Sequence, residues 1–255
     1  MKITIIGSGN VARQLGLAFR NCGHKIVFVF SRNLRHAKKL GNILKSASGN
    51  DIEGISSPPA DVYIIAVKDD AIVEVVKNMP TLKDKLVIHT SGATDISVLK
   101  KKFKNCGVFW QIQTIKSRTP KDYKNIPVVI EASNSGAEKK LKRLAKDLSD
   151  NVHVLNSEQR RVLHLGAVWV NNFPNHLYYL AGELLKKHDL AFKLYHPLLL
   201  STIQSAMLNP KETQTGPARR NDKKTMNAHL KLLTDRNYKK IYKLLSKSIT
   251  DLYNE

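Results

Sequence analysis

Residues 2–12 read KITIIGSGNVA. The β-branched run Ile3, Thr4, Ile5, Ile6 stops at Gly7 and reads as a buried strand. Val11, Leu15, Ala18, Phe19 and Cys22 then recur at helical spacing, and Gly23 suits a helix end. Residues 25–30 (KIVFVF) form the next strand-like run. Strand, loop, helix and strand therefore stand in the order of a βαβ unit. The loop is Gly7-Ser8-Gly9-Asn10-Val11-Ala12, a G-x-G-x-x-A pattern. Gly7 permits a tight turn, Gly9 lets the backbone approach a pyrophosphate, and small Ala12 lets the helix pack closely on the strand. The helix start adds unpaired N–H groups and a positive dipole end. These features predict a dinucleotide held by Gly7, Ser8, Gly9, Asn10 and Val11; the plainer alternative is a structural strand–helix turn.

The alternation continues outward. Residues 35–44 read as a helix, 62–67 (VYIIAV) as a strand, 71–77 as a helix with Asp69-Asp70 capping it, 86–89 as a strand and 97–103 as a helix. Strand-like runs follow at 108–113, 126–131 and 152–155, with a helix carrying Leu141, Leu144, Ala145 and Leu148 on one face. Strands alternating with helices imply a mainly parallel, doubly wound α/β sheet. Beyond residue 155 the pattern is helical only: 161–185 with Pro174 expected to kink it, 190–208 with a restart near Pro197, a loop at 209–222, and a terminal helix marked by Tyr238, Ile241, Leu245, Ile249 and Leu252. The expected organisation is an α/β domain over 1–155 and an all-α domain over 156–255. No Gly/Ser linker separates them, so the two are expected to pack around a cleft.

The second strand ends at Phe30-Ser31-Arg32-Asn33, where an NAD site usually carries an acidic residue for the ribose 2′-OH. A hydroxyl and a guanidinium suit a 2′-phosphate instead, which predicts NADP (NADPH). Val67 and Lys68 after the fourth strand, and His89, Thr90 and Ser91 after the fifth, are expected beside the cofactor, because ligands bind beyond the carboxyl ends of such strands.

The chain has 255 residues, of which 42% are hydrophobic, with 42 Lys+Arg against 21 Asp+Glu, a net charge of +21. That apolar content supports a core and argues against wholesale disorder. The excess is mostly lysine spread along the sequence, without zinc-finger spacing or an aromatic RNA-binding pattern, so a solvated lysine-rich face is preferred over nucleic-acid binding. No apolar run reaches the roughly 18–20 residues of a membrane span. The N-terminus runs straight into the glycine motif without the apolar region and cleavage site of a signal peptide. A cytoplasmic protein is expected, with Cys22 and Cys106 as reduced thiols and no metal site.

The segments IIGSGNVA, AVKDDAI (66–72), HTSGA (89–93), Gln113-Thr114, LHLGAVWVNNFPNHLY (163–178) and TGPARRND (215–222) together resemble the Rossmann-like proteins with a C-terminal domain of unknown function 2520. That group is similar to the pyrroline-5-carboxylate reductase and 6-phosphogluconate dehydrogenase-like NADP oxidoreductases. One departure is that this chain reads Gln111-Ile112-Gln113-Thr114-Ile115 where the family has Pro-Leu-Gln-Thr-Phe. The resemblance implies a Rossmann domain, a helical domain like that of 6-phosphogluconate dehydrogenase, and a homodimer. It supplies no substrate.

In the related dehydrogenases the helix opening the second domain turns polar residues to the nicotinamide. Here His164, Asn171 and Asn175 share one face at 100° per residue, with Asn172 one step round. His164 is a candidate general acid, Asn171 and Asn172 orient the substrate, and a structural histidine is the alternative. Gln113, Asn175, Arg219 and Arg220 are candidate substrate contacts, the arginines gripping a carboxylate or phosphate. Asp222 capping a helix, with both arginines in solvent, is the alternative there. The function expected is an NADP-dependent oxidoreductase moving hydride to or from a small, anionic carbonyl, imine or hydroxy acid. Its rivals are a non-catalytic NADP-binding or redox-sensing protein and a basic nucleic-acid-associated protein.

Overall fold

A computed structural model of the chain describes residues 1–115 and 123–253. These form two compact units, Met1–Trp169 and Val170–Glu255. In the first, the elements run β1 (Lys2–Ile6), α1 (Asn10–Asn21), β2 (Lys25–Phe30), α2 (Leu34–Leu44), β3 (Ala47–Gly49), β4 (Val62–Ile65), α3 (Ile72–Asn78), β5 (Leu86–His89), α4 (Ser97–Lys100), β6 (Cys106–Gln111), β7 (Val128–Ala132), α5 (Ser135–Lys146), β8 (Val152–Val154) and α6 (Ser157–Ala167). They make one eight-stranded sheet in the order β3-β2-β1-β4-β5-β6-β7-β8. Every pairing is parallel except β6 with β7. The α/β, mainly parallel expectation holds, with one antiparallel pairing near the far edge, so that β7 and β8 run opposite to the other strands.

Strands β4, β5 and β6 are buried along their whole length, which is why they read as unbroken apolar runs. Their side chains alternate between two cores. Ile3, Ile5, Ile64, Ile88 and Phe109 join Leu15, Phe19, Leu44 and Leu141 on one face. Ile6, Tyr63, Ile65, Val87 and Trp110 join Ile72, Val76, Leu99 and Phe103 on the other. Connections reverse direction at β1, between β2 and β4, and such a reversal opens a crevice at the carboxyl ends of the strands.

Three local expectations change. The strand β3 has no apolar run (Ala47-Ser48-Gly49) and forms by pairing its backbone with β2, so no side-chain pattern announces it. Helix α4 is four residues long, stopping at Lys100 rather than reaching Phe103. Asp69 and Asp70 sit inside a 3₁₀ turn ahead of α3, and no side-chain cap bond is made there among the described residues.

Helix α6 opens on a capping box, Asn156 with Gln159, and belongs to the first unit, although the sequence pattern placed it in the helical domain. Its Arg160 is fully buried and donates to the Ser91 and Gly92 carbonyls at 3.1 and 2.9 Å and to Glu131 at 3.0 Å. Those bonds tie α6 to the turn after β5 and to β7.

The second unit holds α7 (Phe173–Lys186), a 3₁₀ turn (Phe192–Tyr195), α8 (His196–Leu208), α9 (Lys223–Leu232) and α10 (Arg236–Tyr253). A π-helical segment, Val168–Asn172, precedes α7. Pro174 lies in the first turn of α7, where its missing N–H costs nothing, rather than kinking a long helix. Asp222 caps α9, accepting from the Thr225 N–H at 3.0 Å. His229 Nδ1 meets the Tyr242 hydroxyl at 2.8 Å, joining α9 to α10. Helix α8 carries Ser201, Thr202, Gln204 and Ser205 among its apolar residues and leaves Leu200 64%, Met207 75% and Leu208 84% exposed.

His89 ends β5 fully buried, its Nδ1 accepting from the Ser91 N–H at 3.2 Å. Burial first, and then the Arg160 charge, push its pKa from 6.5 down to about 3, against an opposing pull from Asp95. The unfolded chain takes up a proton as pH falls below about 6.5, whereas the folded chain does so only near 3. Stability carried by neutral His89 is therefore complete above that window and is lost through it on acidification. Urea unfolding at pH 6.0 and 5.0 should differ between the parent and His89→Gln by a slope of about 1.4 kcal/mol per pH unit, steeper in the parent.

Candidate dinucleotide site

The turn after β1 is made by crowding. Gly7 has φ +123°, and a Cβ there would stand 2.2 Å from the Ala66 carbonyl oxygen at the end of β4. Its N–H donates to the Phe30 carbonyl at 2.8 Å, binding the turn to β2 as well. Gly9 is the N-cap of α1, and a Cβ there would meet nothing within 4 Å, so space is open above the helix start. No side chain caps that helix among the described residues, which leaves its first N–H groups for a ligand. Ala12 is fully buried, as close packing requires.

These residues line a cleft of about 800 Å³. Gly7, Ser8, Gly9, Asn10, Val11, Ser31, Arg32, Val67 and Lys68, nine positions singled out from the sequence, all lie on its wall. The Ser8 and Ser31 hydroxyls are 2.9 Å apart, joining the glycine turn to the end of β2. The cleft also takes in Asn33, His36, Asp70 and Glu74, which the sequence reading missed. Asn33 was adjacent to the recognised pair; it caps α2 through the His36 N–H at 3.2 Å and so turns the first helical turn toward the cleft. The residues fit an NADP-type dinucleotide: an open, uncapped helix start for the pyrophosphate, and Ser31, Arg32 and His36 without a carboxylate at the end of β2.

The residues after β5 are placed differently. His89, Thr90 and Ser91 are not on the cleft wall. Thr90 donates to the Ile65 carbonyl, and the Ser91 hydroxyl oxygen accepts from the N–H groups of Ala93 and Thr94 at 3.1 and 2.9 Å, so both side chains serve the turn itself. His164 leans on this turn. Its ring centroid lies 5.6 Å from that of Trp110, and a Cβ on Gly92 would be 2.6 Å from its Cδ2. Gln113 donates to the Gln111 side chain at 3.3 Å, beyond the end of β6.

Asn171 and Asn172 fall in the π-helical segment and Asn175 in the first turn of α7, all three exposed. The wider π turn breaks the regular 100° step on which their alignment with His164 was computed. Arg219 donates to the Gln214 carbonyl and lies 5.2 Å over the Tyr253 ring, so its guanidinium is engaged within its own unit, while Arg220 is exposed. Cys22 and Cys106 are free thiols. Among the described residues, no three His, Cys, Asp or Glu side chains are grouped to hold a metal ion, and no helix is long and apolar enough to cross a membrane.

Residues 2–92 match the family model of coenzyme F420-dependent NADP oxidoreductases, and residues 126–249 match the domain of unknown function DUF2520. A Bacteroides fragilis protein proposed to be an NADP oxidoreductase, BF3122, is 37% identical, with 98% of each chain covered and a TM-score of 0.88. Protein TM1727 of Thermotoga maritima is similar at 21% identity over 99% of this chain and 98% of its own, with a TM-score of 0.72. A reductive aminase from Aspergillus terreus, solved with NADPH and ethyl-5-oxohexanoate, is similar at 13% identity over 99% and 98%, with a TM-score of 0.75. These last two establish likeness of fold. No protein of curated function matches the sequence. With its glycine turn, its reversal at β1 and a full-length relative at 37% identity, the chain belongs to the family of Rossmann-fold NADP oxidoreductases that carry a C-terminal DUF2520 domain.

Proposed function

We propose that this chain binds NADPH in preference to NADH and transfers a hydride to or from a small carbonyl, imine or hydroxy acid. The observation that carries the reading is one cleft lined both by the glycine turn and by Ser31 and Arg32, with no carboxylate at the end of β2. The A. terreus reductive aminase solved with NADPH and a keto ester supports the substrate class, since it shares the fold. The name of the N-terminal family model points to coenzyme F420 as a second hydride carrier, and its absorbance separates it from NADPH in the same assay.

NADPH, when bound, supplies the hydride. The first N–H groups of α1 receive the pyrophosphate, with Gly9 leaving room for it. The Ser31 hydroxyl and the Arg32 guanidinium hold the 2′-phosphate. His164 gives a proton from an imidazole nitrogen to the substrate oxygen or nitrogen as its carbon takes the hydride, and Trp110 and Gly92 fix the plane of its ring. The chain works as a homodimer in this reading, because helix α8 leaves Leu198, Leu200, Ile203, Met207 and Leu208 exposed in one copy.

In calorimetric titrations, Arg32→Ala should weaken NADPH by at least tenfold, about 1.4 kcal/mol, while NADH changes less than twofold; equal losses for both would sink the NADP preference. Against a panel of ketones, preformed imines and keto acids, His164→Gln should lower NADPH turnover by roughly 10²–10⁴-fold with NADPH affinity unchanged. Light scattering of the purified protein should give twice the 28.7 kDa chain mass, and a monomer would rule out the dimer.

A further inference from the structure

The least expected group in the first unit is Arg160, fully buried on α6 one turn before His164. Its Nη1 donates to two successive carbonyls, Ser91 at 3.1 Å and Gly92 at 2.9 Å. Its Nη2 donates to Glu131 Oε2 and to the Ser157 hydroxyl, each at 3.0 Å. The Ser157 hydroxyl donates on to Glu131 and accepts from the Ile96 N–H at 3.2 Å, closing a ring of bonds around the turn after β5. The other side of that turn carries the rings: a Cβ on Gly92 would be 2.6 Å from His164 and 2.7 Å from Trp110. The Ser91–Gly92 peptides are thus held by the guanidinium while His164 rests on the Gly92 α-carbon.

Burying an ion pair like Arg160–Glu131 is a poor route to stability alone, because desolvation offsets most of the attraction. A forked donor that grips two carbonyls at once does, however, fix a turn in one orientation, which a lysine cannot reproduce. We propose that Arg160 is a positioning residue: through the Ser91–Gly92 turn it sets where the His164 ring lies and which way its nitrogens point. This deepens, and rests on, the reading of His164 as the proton donor. The charged and titratable groups around the pair are Arg160 and Arg161 on α6, His89 at the end of β5, Asp95 on the turn after it, Cys106 on β6 and Glu131 on β7.

Trp110 makes the position of His164 measurable, since a protonated imidazole against an indole quenches its fluorescence. The chain has two tryptophans, so Trp169→Phe leaves Trp110 as the only reporter. In that background, lowering the pH should quench the emission, and His164→Gln should remove this component, leaving only what the neighbouring groups contribute. Arg160→Gln should cut the His164-dependent quench at least twofold with NADPH affinity within twofold of the parent, and Arg160→Lys should recover part of it. A folded Arg160→Gln that keeps the full quench overturns the proposal, as does a parent without any His164-dependent quench. Should Arg160→Gln fail to fold, Glu131→Gln is read by the same criterion, and an undiminished quench in it overturns the proposal. Turnover is a separate arm: unchanged turnover in His164→Gln would end the proton-donor reading without altering what the fluorescence says about Arg160.

Discussion

The first unit depends on how closely the turn after β1 passes the end of β4. Gly7 sits where a single added carbon would be 2.2 Å from a backbone oxygen, a separation that no side-chain adjustment relieves. That contact, with the hydrogen bond from Gly7 to Phe30, gathers β2, β1 and β4 at one point. The point coincides with the reversal in strand order, so the cleft, the helix start that faces it and the Ser31–Arg32 corner all descend from one steric constraint. Close packing elsewhere follows the same logic at lower stakes: a Cβ on Gly16 would meet Leu44 and Ile5, which brings α1 down onto the sheet.

Much of this was readable in advance because it is written in periodicity. Lys2–Ile6, Lys25–Phe30 and Leu86–His89 have the bounds their apolar runs imply. What the pattern could not carry was pairing and partnership. Ala47–Gly49 becomes a strand through backbone bonds alone, and Val128–Ala132 looks in sequence like any parallel strand although it runs antiparallel to β6. The nine cleft residues were recognisable because glycine spacing and the end of β2 fix backbone geometry directly. His89 stands apart from that wall for a related reason. The end of a strand locates a residue along the sheet but not on which side of the chain its ring lies, and here the ring turns inward and accepts from Ser91. Arg160 carried one signal that was passed over, a spacing of four from His164, which puts both on the same helical face.

The second unit shows how a loop can mislead by composition. Two adjacent arginines after Gly216-Pro217 invited a shared role, yet Arg219 is spent on the Gln214 carbonyl and the Tyr253 ring while Arg220 stays in solvent. Asp222 caps α9, so the same eight residues contain a helix cap, an exposed arginine engaged within its own unit and a second exposed arginine. Charge alone could not separate these three, because each is settled by which backbone groups lie in reach.

The two glycines of the turn differ in what surrounds them, and that difference bears on descent. At position 7 any side chain would disturb β4 and the cleft together, so fold and ligand are lost in one step. At position 9 a side chain would enter only the open space over α1, sparing the core. A lineage drifting from ligand-binding ancestor to silent scaffold would therefore keep Gly7 and change Gly9 first. Paralogues sorted by that single position would divide into those still under selection for the dinucleotide and those retained for their architecture alone.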